Sequence, residues 1–325
     1  MAEPLLSVRR LSIGIRSNKK TYTAVDKVSF DVYPGEILGI VGESGCGKSI
    51  TAMSLMGLLG SGVSVTGGNA FFEGRDLLSI KGKERLHMNG NRISMIYQEP
   101  MTSLNPLMKI GRQIGEPLRL HTDLPEKEIR ARAREMLDRV GMRDGDKIFK
   151  SYPHQLSGGM RQRVMIAMAA IANPALLIAD EPTTALDVTT QAEILELLRK
   201  MNLDHGTSII FISHDLGVVG RICSRVLVMY AGRLVESGPS AAILGDPEHP
   251  YTEGLIASIP EVEDRGEDLP SIPGRVPSVT EEHAACPFAP RCGKATALCS
   301  KIPAPMRNVG PDHFVWCHNV HGGSR

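Results

Sequence analysis

Three short stretches of this 325-residue chain carry residue types that could do chemistry on phosphate, on metal, or on both. The first is Gly42-Glu43-Ser44-Gly45-Cys46-Gly47-Lys48-Ser49, which fits G-x-x-x-x-G-K-[ST] without a gap and runs on into Ile50. Its glycines let backbone N–H groups turn inward around a nucleotide's phosphates, and the N-terminus of a following helix adds positive potential. Lys48 reaches the terminal phosphates, and Ser49 can ligate Mg²⁺. The second stretch, LLIADEP at residues 176–182, is an apolar strand that ends in Asp180 and Glu181. Neighbouring strand residues point to opposite faces, so the two acids take different roles. Asp180 serves Mg²⁺ through water, and Glu181 orients or activates an attacking water. An acidic strand end that caps the next helix is the plain structural alternative. The third stretch is the tail, where Cys286, Cys292, Cys299 and Cys317 gather, while Cys46 and Cys223 stand alone among apolar or glycine-rich neighbours.

The elements that must position these residues are readable around them. From Leu6 to Gly42 apolar and polar residues alternate, which predicts antiparallel strands that feed a buried strand, EILGIV, directly before the glycine loop. KSITAMSLMGLL then has helical spacing and stops at Gly60, so strand, glycine loop and helix follow in order. Residues of about 100–160 read as helical with charged faces and no convincing strand. Strand signals return at ALLIAD, SIIFIS and RVLVMY, with a helix between the first two, the alternation of parallel α/β units. Beyond Ile259 the chain is proline-punctuated and irregular. A boundary near residue 240 divides a main domain, 1–240, from an extension, 241–325.

Composition narrows the function. With 37 basic and 36 acidic residues and a net charge of +1, no general field attracts nucleic acid or an acidic membrane. The longest apolar run, Val164 to Ala172, is broken by Asn173 and Pro174, well short of the roughly 20 residues a bilayer span needs. The N-terminal residues lack a signal-peptide pattern, so the expectation is a cytoplasmic protein. Cys46, beside Lys48 and a helix N-terminus, is expected to have increased thiolate character.

Leu156-Ser157-Gly158-Gly159-Met160 opens an apolar helix, and here the chain resembles the nucleotide-binding subunit of ATP-binding cassette (ABC) transporters. LSGGM is similar to that family's signature, Gln98 to its Q-loop glutamine, Thr184 to Asp187 to its D-loop, and His214 to its switch histidine, all in the family's order. Thr184 and Cys46 stand where serine is common. The resemblance implies a P-loop α/β cassette with an antiparallel β subdomain, a helical subdomain and a small irregular C-terminal extension. It also implies two cassettes packed head to tail, with Ser157, Gly158 and Gly159 on the partner's nucleotide. His214 would hold the γ-phosphate, Gln98 would touch Mg²⁺ and report to membrane subunits, and Tyr22 would stack on adenine.

HPYTEGL at 249–255 and CPFAPRC at 286–292 resemble the C-terminal extension of oligopeptide and dipeptide permease ATPases. The spacing C-x5-C-x6-C-x17-C is too wide for paired zinc knuckles. By that resemblance the four cysteines are ligands of a structural [4Fe–4S] cluster. Zinc, or unligated or disulfide-bonded cysteines, are the alternatives, and His313, His318 and His321 are candidate substitute ligands. The expected protein is an ATPase that drives dipeptide or oligopeptide uptake from the cytoplasmic face of the inner membrane. Its expected partners are two permease subunits, a second cassette (a paralogue or a second copy) and, indirectly, an extracytoplasmic binding protein. Nickel-chelate or glutathione import is the near alternative. An ABC ATPase acting on nucleic acid or ribosomes is the distant one.

Overall fold

The computed structural model describes residues 3–184, 186–259, 271–281 and 285–320; Ala185 of the D-loop and His321 lie outside the described residues. The chain divides into two compact units. One is made from the described residues of Met1–Tyr33, Ile37–Leu78 and Phe211–Arg325, the other from Pro34–Glu36 and Ser79–Ile210.

In the first unit, strand Leu6–Ser17 pairs antiparallel with Lys20–Val32 on one side and Val63–Phe72 on the other. The hairpin closes on Asn18 and Lys19, both left-handed, which matches the twist of the strands they join. Leu6, Val8, Leu11 and Ile13 are fully buried. The three-residue step from Val8 to Leu11 would turn a regular strand's apolar face outward. A bulge there, with Arg10 at positive φ, absorbs the extra residue and restores the inward face. The same device sits at Lys27, between buried Val25 and Val28. Each such buried aliphatic contributes about 1.5–3 kcal/mol.

The fully buried strand Ile37–Val41 pairs parallel with Arg225–Tyr230, which pairs antiparallel with Arg233–Pro239. The tail then adds structure that its prolines conceal. Strand His313–Trp316 joins Glu236 and Ser237, and Met306–Gly310 pairs with it as a closing hairpin. Glu236 lies in this sheet with no exposure. Its Oε1 accepts from the amide of Glu248 (2.8 Å) and its Oε2 from that of His249 (3.0 Å), and His313 Nε2 lies 2.8 Å from the same Oε1. The His249 ring in turn accepts from the amide of Tyr251 and starts helix Pro250–Ala257. The rings of Tyr230, Tyr251, His249 and Phe288 pack together at 4.6–5.8 Å, so the HPY and CPF motifs form one aromatic knot.

In the second unit, strands Ile93–Ile96 and Leu176–Asp180 pair in parallel and are buried on both faces, as a continuous apolar run requires. Among the described residues, 100–160 contain helices and no strand. Helix Glu126–Arg139 buries Ile129, Ala133, Met136 and Leu137, one face at helical spacing, and turns charged residues outward. No helix among the described residues is long and apolar enough to cross a membrane.

Candidate functional site

The phosphate loop is shaped by close packing. The strand before it ends at Val41, and at Gly42 a Cβ would collide with the carbonyl oxygen of Met229, so no side chain fits. Gly47 caps helix Lys48–Met56 at φ 107, a conformation that favours glycine. Lys48 is 4 % exposed, and its Nζ donates to the carbonyls of Gly42 (2.6 Å) and Glu43 (3.1 Å), inside the curve of the loop. Ser44 and Gly45 complete the turn, with Gly45 also at positive φ; Ser49 and Ile50 lie half-buried in the first helical turn.

Cys46 corrects its expectation. Burial pushes the thiol up, and this outweighs the opposing pull of Lys48, whose Nζ lies 3.8 Å from the sulfur. The side chain is wholly buried, so Cys46 is a small packing residue of the loop with reduced thiolate character.

His214 stands at the end of strand Ser208–Ser213. The amide of Asp215 bonds Ser213 Oγ, and Asp215 Oδ1 caps helix Leu216–Ile222 through the amide of Val218. The two flanking residues thus build the turn and leave His214 exposed. Tyr22 is half-buried opposite Ile15, near the tip of the first hairpin.

In the second unit, Asp180 is buried at 3 % exposure where its strand ends. Glu181 follows at φ 47, a turn that aims its carboxylate away from the strand's path. Its Oε2 accepts from Gln98 Nε2 (3.3 Å) and from Thr184 Oγ1 (2.8 Å). The structure therefore brings the Q-loop glutamine, the strand-end glutamate and the D-loop threonine together. In the sequence Thr184 is a D-loop position that departs from serine, and the hydroxyl it retains is the signal that it bonds something. The acid that caps the following helix is neither Asp180 nor Glu181. Asp187 does so, accepting from the Thr190 amide at 2.9 Å and from its hydroxyl at 2.7 Å.

Ser157 caps helix Gly158–Ala170, its Oγ accepting from the amide of Met160. Ser157 and Gly158 are exposed and Gly159 half-exposed, so the helix's first amides face outward. Gln162, buried one turn on, donates to the carbonyl of Pro182 at 2.7 Å and ties this helix to the turn after Glu181.

Oxygen donors at Ser49, Gln98 and Asp180 are of the hard kind that Mg²⁺ takes. In the tail, Cys286, Cys292, Cys299 and Cys317 are free thiols. Burial first, and then the charges of the other three cysteines, push the Cys317 thiol up to about 11. Backbone amides of Thr296 and Asn319 point at the sulfurs of Cys299 (3.5 Å) and Cys317 (3.4 Å). No group of three or more His, Cys, Asp or Glu side chains among the described residues is arranged to hold a metal ion.

Comparisons with known proteins place these features together. Residues 25–184 match the family described as ABC transporter, and residues 235–299 match the oligopeptide/dipeptide transporter C-terminal region. The chain is 46 % identical to a peptide import ATP-binding protein of Brucella melitensis, over 97 % of each chain. It is 48 % identical to one of Brucella abortus, over 94 % of this chain and 92 % of the relative. Among solved structures, a dimeric ATP-binding cassette bound to ADP and Pi matches with a TM-score of 0.66 at 26 % identity, over 72 % of this chain and 98 % of that one. A component of an ABC transporter complex from Clostridium perfringens matches at 0.64 and 28 % identity, over 75 % and 92 %.

Proposed function

The chain belongs to the ABC transporter family of ATP-binding proteins, and on that premise we propose that it is the ATPase subunit that powers a peptide importer. One observation carries the reading: a complete, correctly ordered set of cassette motifs is joined in one chain to the oligopeptide/dipeptide transporter C-terminal region. The relatives that share both parts along nearly their whole length are peptide import proteins by name.

Residue roles follow from chemistry. Lys48 and the amides of Gly42 to Ile50 hold the β- and γ-phosphates, and Tyr22 packs on the adenine. Ser49, Gln98 and Asp180 would hold Mg²⁺, which would neutralise negative charge on the phosphates. Glu181, aimed by Gln98 and Thr184, accepts a proton from the attacking water. His214 bonds the γ-phosphate. The outward-facing amides at Ser157, Gly158 and Gly159 complete the site of a second cassette, so hydrolysis belongs to a pair. That pair, a paralogue or two copies of this chain, docks peripherally on two permease subunits at the cytoplasmic face of the inner membrane, and an extracytoplasmic binding protein delivers cargo. Residues 1–240 do the nucleotide chemistry, and 241–325 form the extension.

The tail cysteines are read as ligands of a [4Fe–4S] cluster. A four-iron cluster is larger than a single ion and takes four cysteine thiolates, the number that gathers in the tail. Its role is to cross-link a segment with little core of its own. Protein purified anaerobically is expected to be brown with about four irons per chain, and Cys317→Ser to lose both. Colourless, iron-free protein with four reactive tail thiols would remove this assignment.

The functional test is transport. The intact membrane complex is expected to take up peptides when ATP is supplied, and to stop with Lys48→Ala. Peptide-independent uptake of nickel chelates in the same vesicles would reverse the substrate choice, and ATPase activity stimulated by nucleic acid would reverse the class.

A further inference from the structure

One residue of the phosphate loop is gripped from the C-terminal region at both ends. Arg291 Nη1 donates to Glu43 Oε2 at 2.7 Å and Nη2 to Oε1 at 3.0 Å, a two-pronged guanidinium–carboxylate pair. The Arg291 side chain is 6 % exposed. Its remaining donors go to the carbonyls of Pro273 (2.8 Å) and Ile272 (3.2 Å) and to the hydroxyl of Tyr230 (3.3 Å), so the fork is held in one orientation. At the other end, the amide of Glu43 donates to the hydroxyl of fully buried Tyr251 at 2.8 Å. Lys48 meanwhile bonds the Glu43 carbonyl.

This arrangement has an electrostatic logic. A carboxylate inside a loop that cradles phosphate repels the ligand the loop is built for. An arginine from a distant segment that meets that carboxylate squarely cancels the repulsion and also fixes the loop's first turn. We infer that Arg291 is a positioning residue for ATP binding, acting through Glu43, and that the C-terminal region is therefore part of what makes the phosphate loop competent. The inference rests on reading Gly42 to Ser49 as the nucleotide loop.

The test uses the full chain, equilibrium binding of MgATP, and steady-state kinetics. Arg291→Ala is expected to raise both Kd and KM roughly tenfold with kcat within about twofold, the signature of lost binding rather than lost chemistry. The deficit should shrink as salt is raised. Arg291→Ala combined with Glu43→Gln is expected to recover most of the affinity, because the stranded charge has gone. Arg291→Lys should fall between, keeping charge without the fork. An unchanged Kd in Arg291→Ala overturns the inference. So does a deficit that Glu43→Gln does not relieve and that tracks a lowered melting temperature, since Arg291 would then only fasten the tail. Lys48→Ala, run in parallel, reports on the nucleotide loop itself: if it binds ATP as well as wild type does, the nucleotide reading falls, and the Arg291 series fails separately from it.

Discussion

Glu181→Gln is expected to bind ATP as wild type does and to hydrolyse it roughly 10²- to 10⁴-fold more slowly, the usual worth of a positioned general base. The substitution keeps the side chain's size and an oxygen that can still accept from Thr184 Oγ1, now 2.8 Å from the carboxylate. An amide cannot take up the proton that the attacking water must lose. The effect should therefore appear in single-turnover hydrolysis and leave equilibrium ATP binding unchanged. Near-normal hydrolysis would overturn the role of Glu181. Thr184→Ala should show a smaller loss in the same direction, because it frees the carboxylate to swing without removing it.

The second large effect is on stability. Glu236→Ala is expected to cost about 3–5 kcal/mol, because it removes the shared acceptor of several buried donors. It would strand the His313 ring and the amides of Glu248 and His249 without their acceptor. For a chain of this size that is a fall in Tm on the order of 10 °C. A melting temperature within a degree of wild type would show the pair to be idle. The same cluster sets the acid limit of the fold. Burial alone would raise the Glu236 carboxyl, but the contacts with His313 and the amides of Glu248 and His249 outweigh it and hold the group below its ordinary value. Its contribution is present above the unfolded carboxylate range and is lost as pH falls through the lower folded value. His249, buried among rings, is pushed down from 6.5 to about 4 by burial, against the smaller pull of Glu236 and Glu253. The unfolded chain thus binds a proton at His249 that the folded chain refuses, and stability should fall by ~3 kcal/mol between pH 6.5 and 4. Denaturant midpoints that stay flat across that interval would contradict this.

What could be read from the residues alone was whatever is encoded locally. The glycine loop, the DEP strand end and the signature are short codes in which spacing, backbone need and chemistry coincide, and each appears on the element its neighbours implied. The long-range terms were not legible. Cys46 looked reactive because Lys48 is two positions away, and the burial that decides the matter comes from packing its local sequence does not show. The tail hairpin was hidden because its outer strand, Met306–Gly310, is largely exposed and gives no alternation, although Gly310-Pro311-Asp312 marks its turn. Arg291 carried no signal of its own. Its partner is 248 residues away, and a lone arginine between proline and cysteine reads as any surface cation.

That separation has a consequence for how the protein is made. The strand of the phosphate loop pairs with Arg225–Tyr230 and its Glu43 with Arg291, both synthesised much later than the loop itself. The segment between, Ser79–Ile210, has its own strands and helices. Contacts of such long range form slowly, and an unpaired apolar strand is exposed to misassociation until they do. If Arg291 positions the loop as inferred above, the nascent chain carries an unfinished phosphate loop until residue 291 has been added. A fragment truncated before the tail is a poor substitute for the whole, however complete its motifs look.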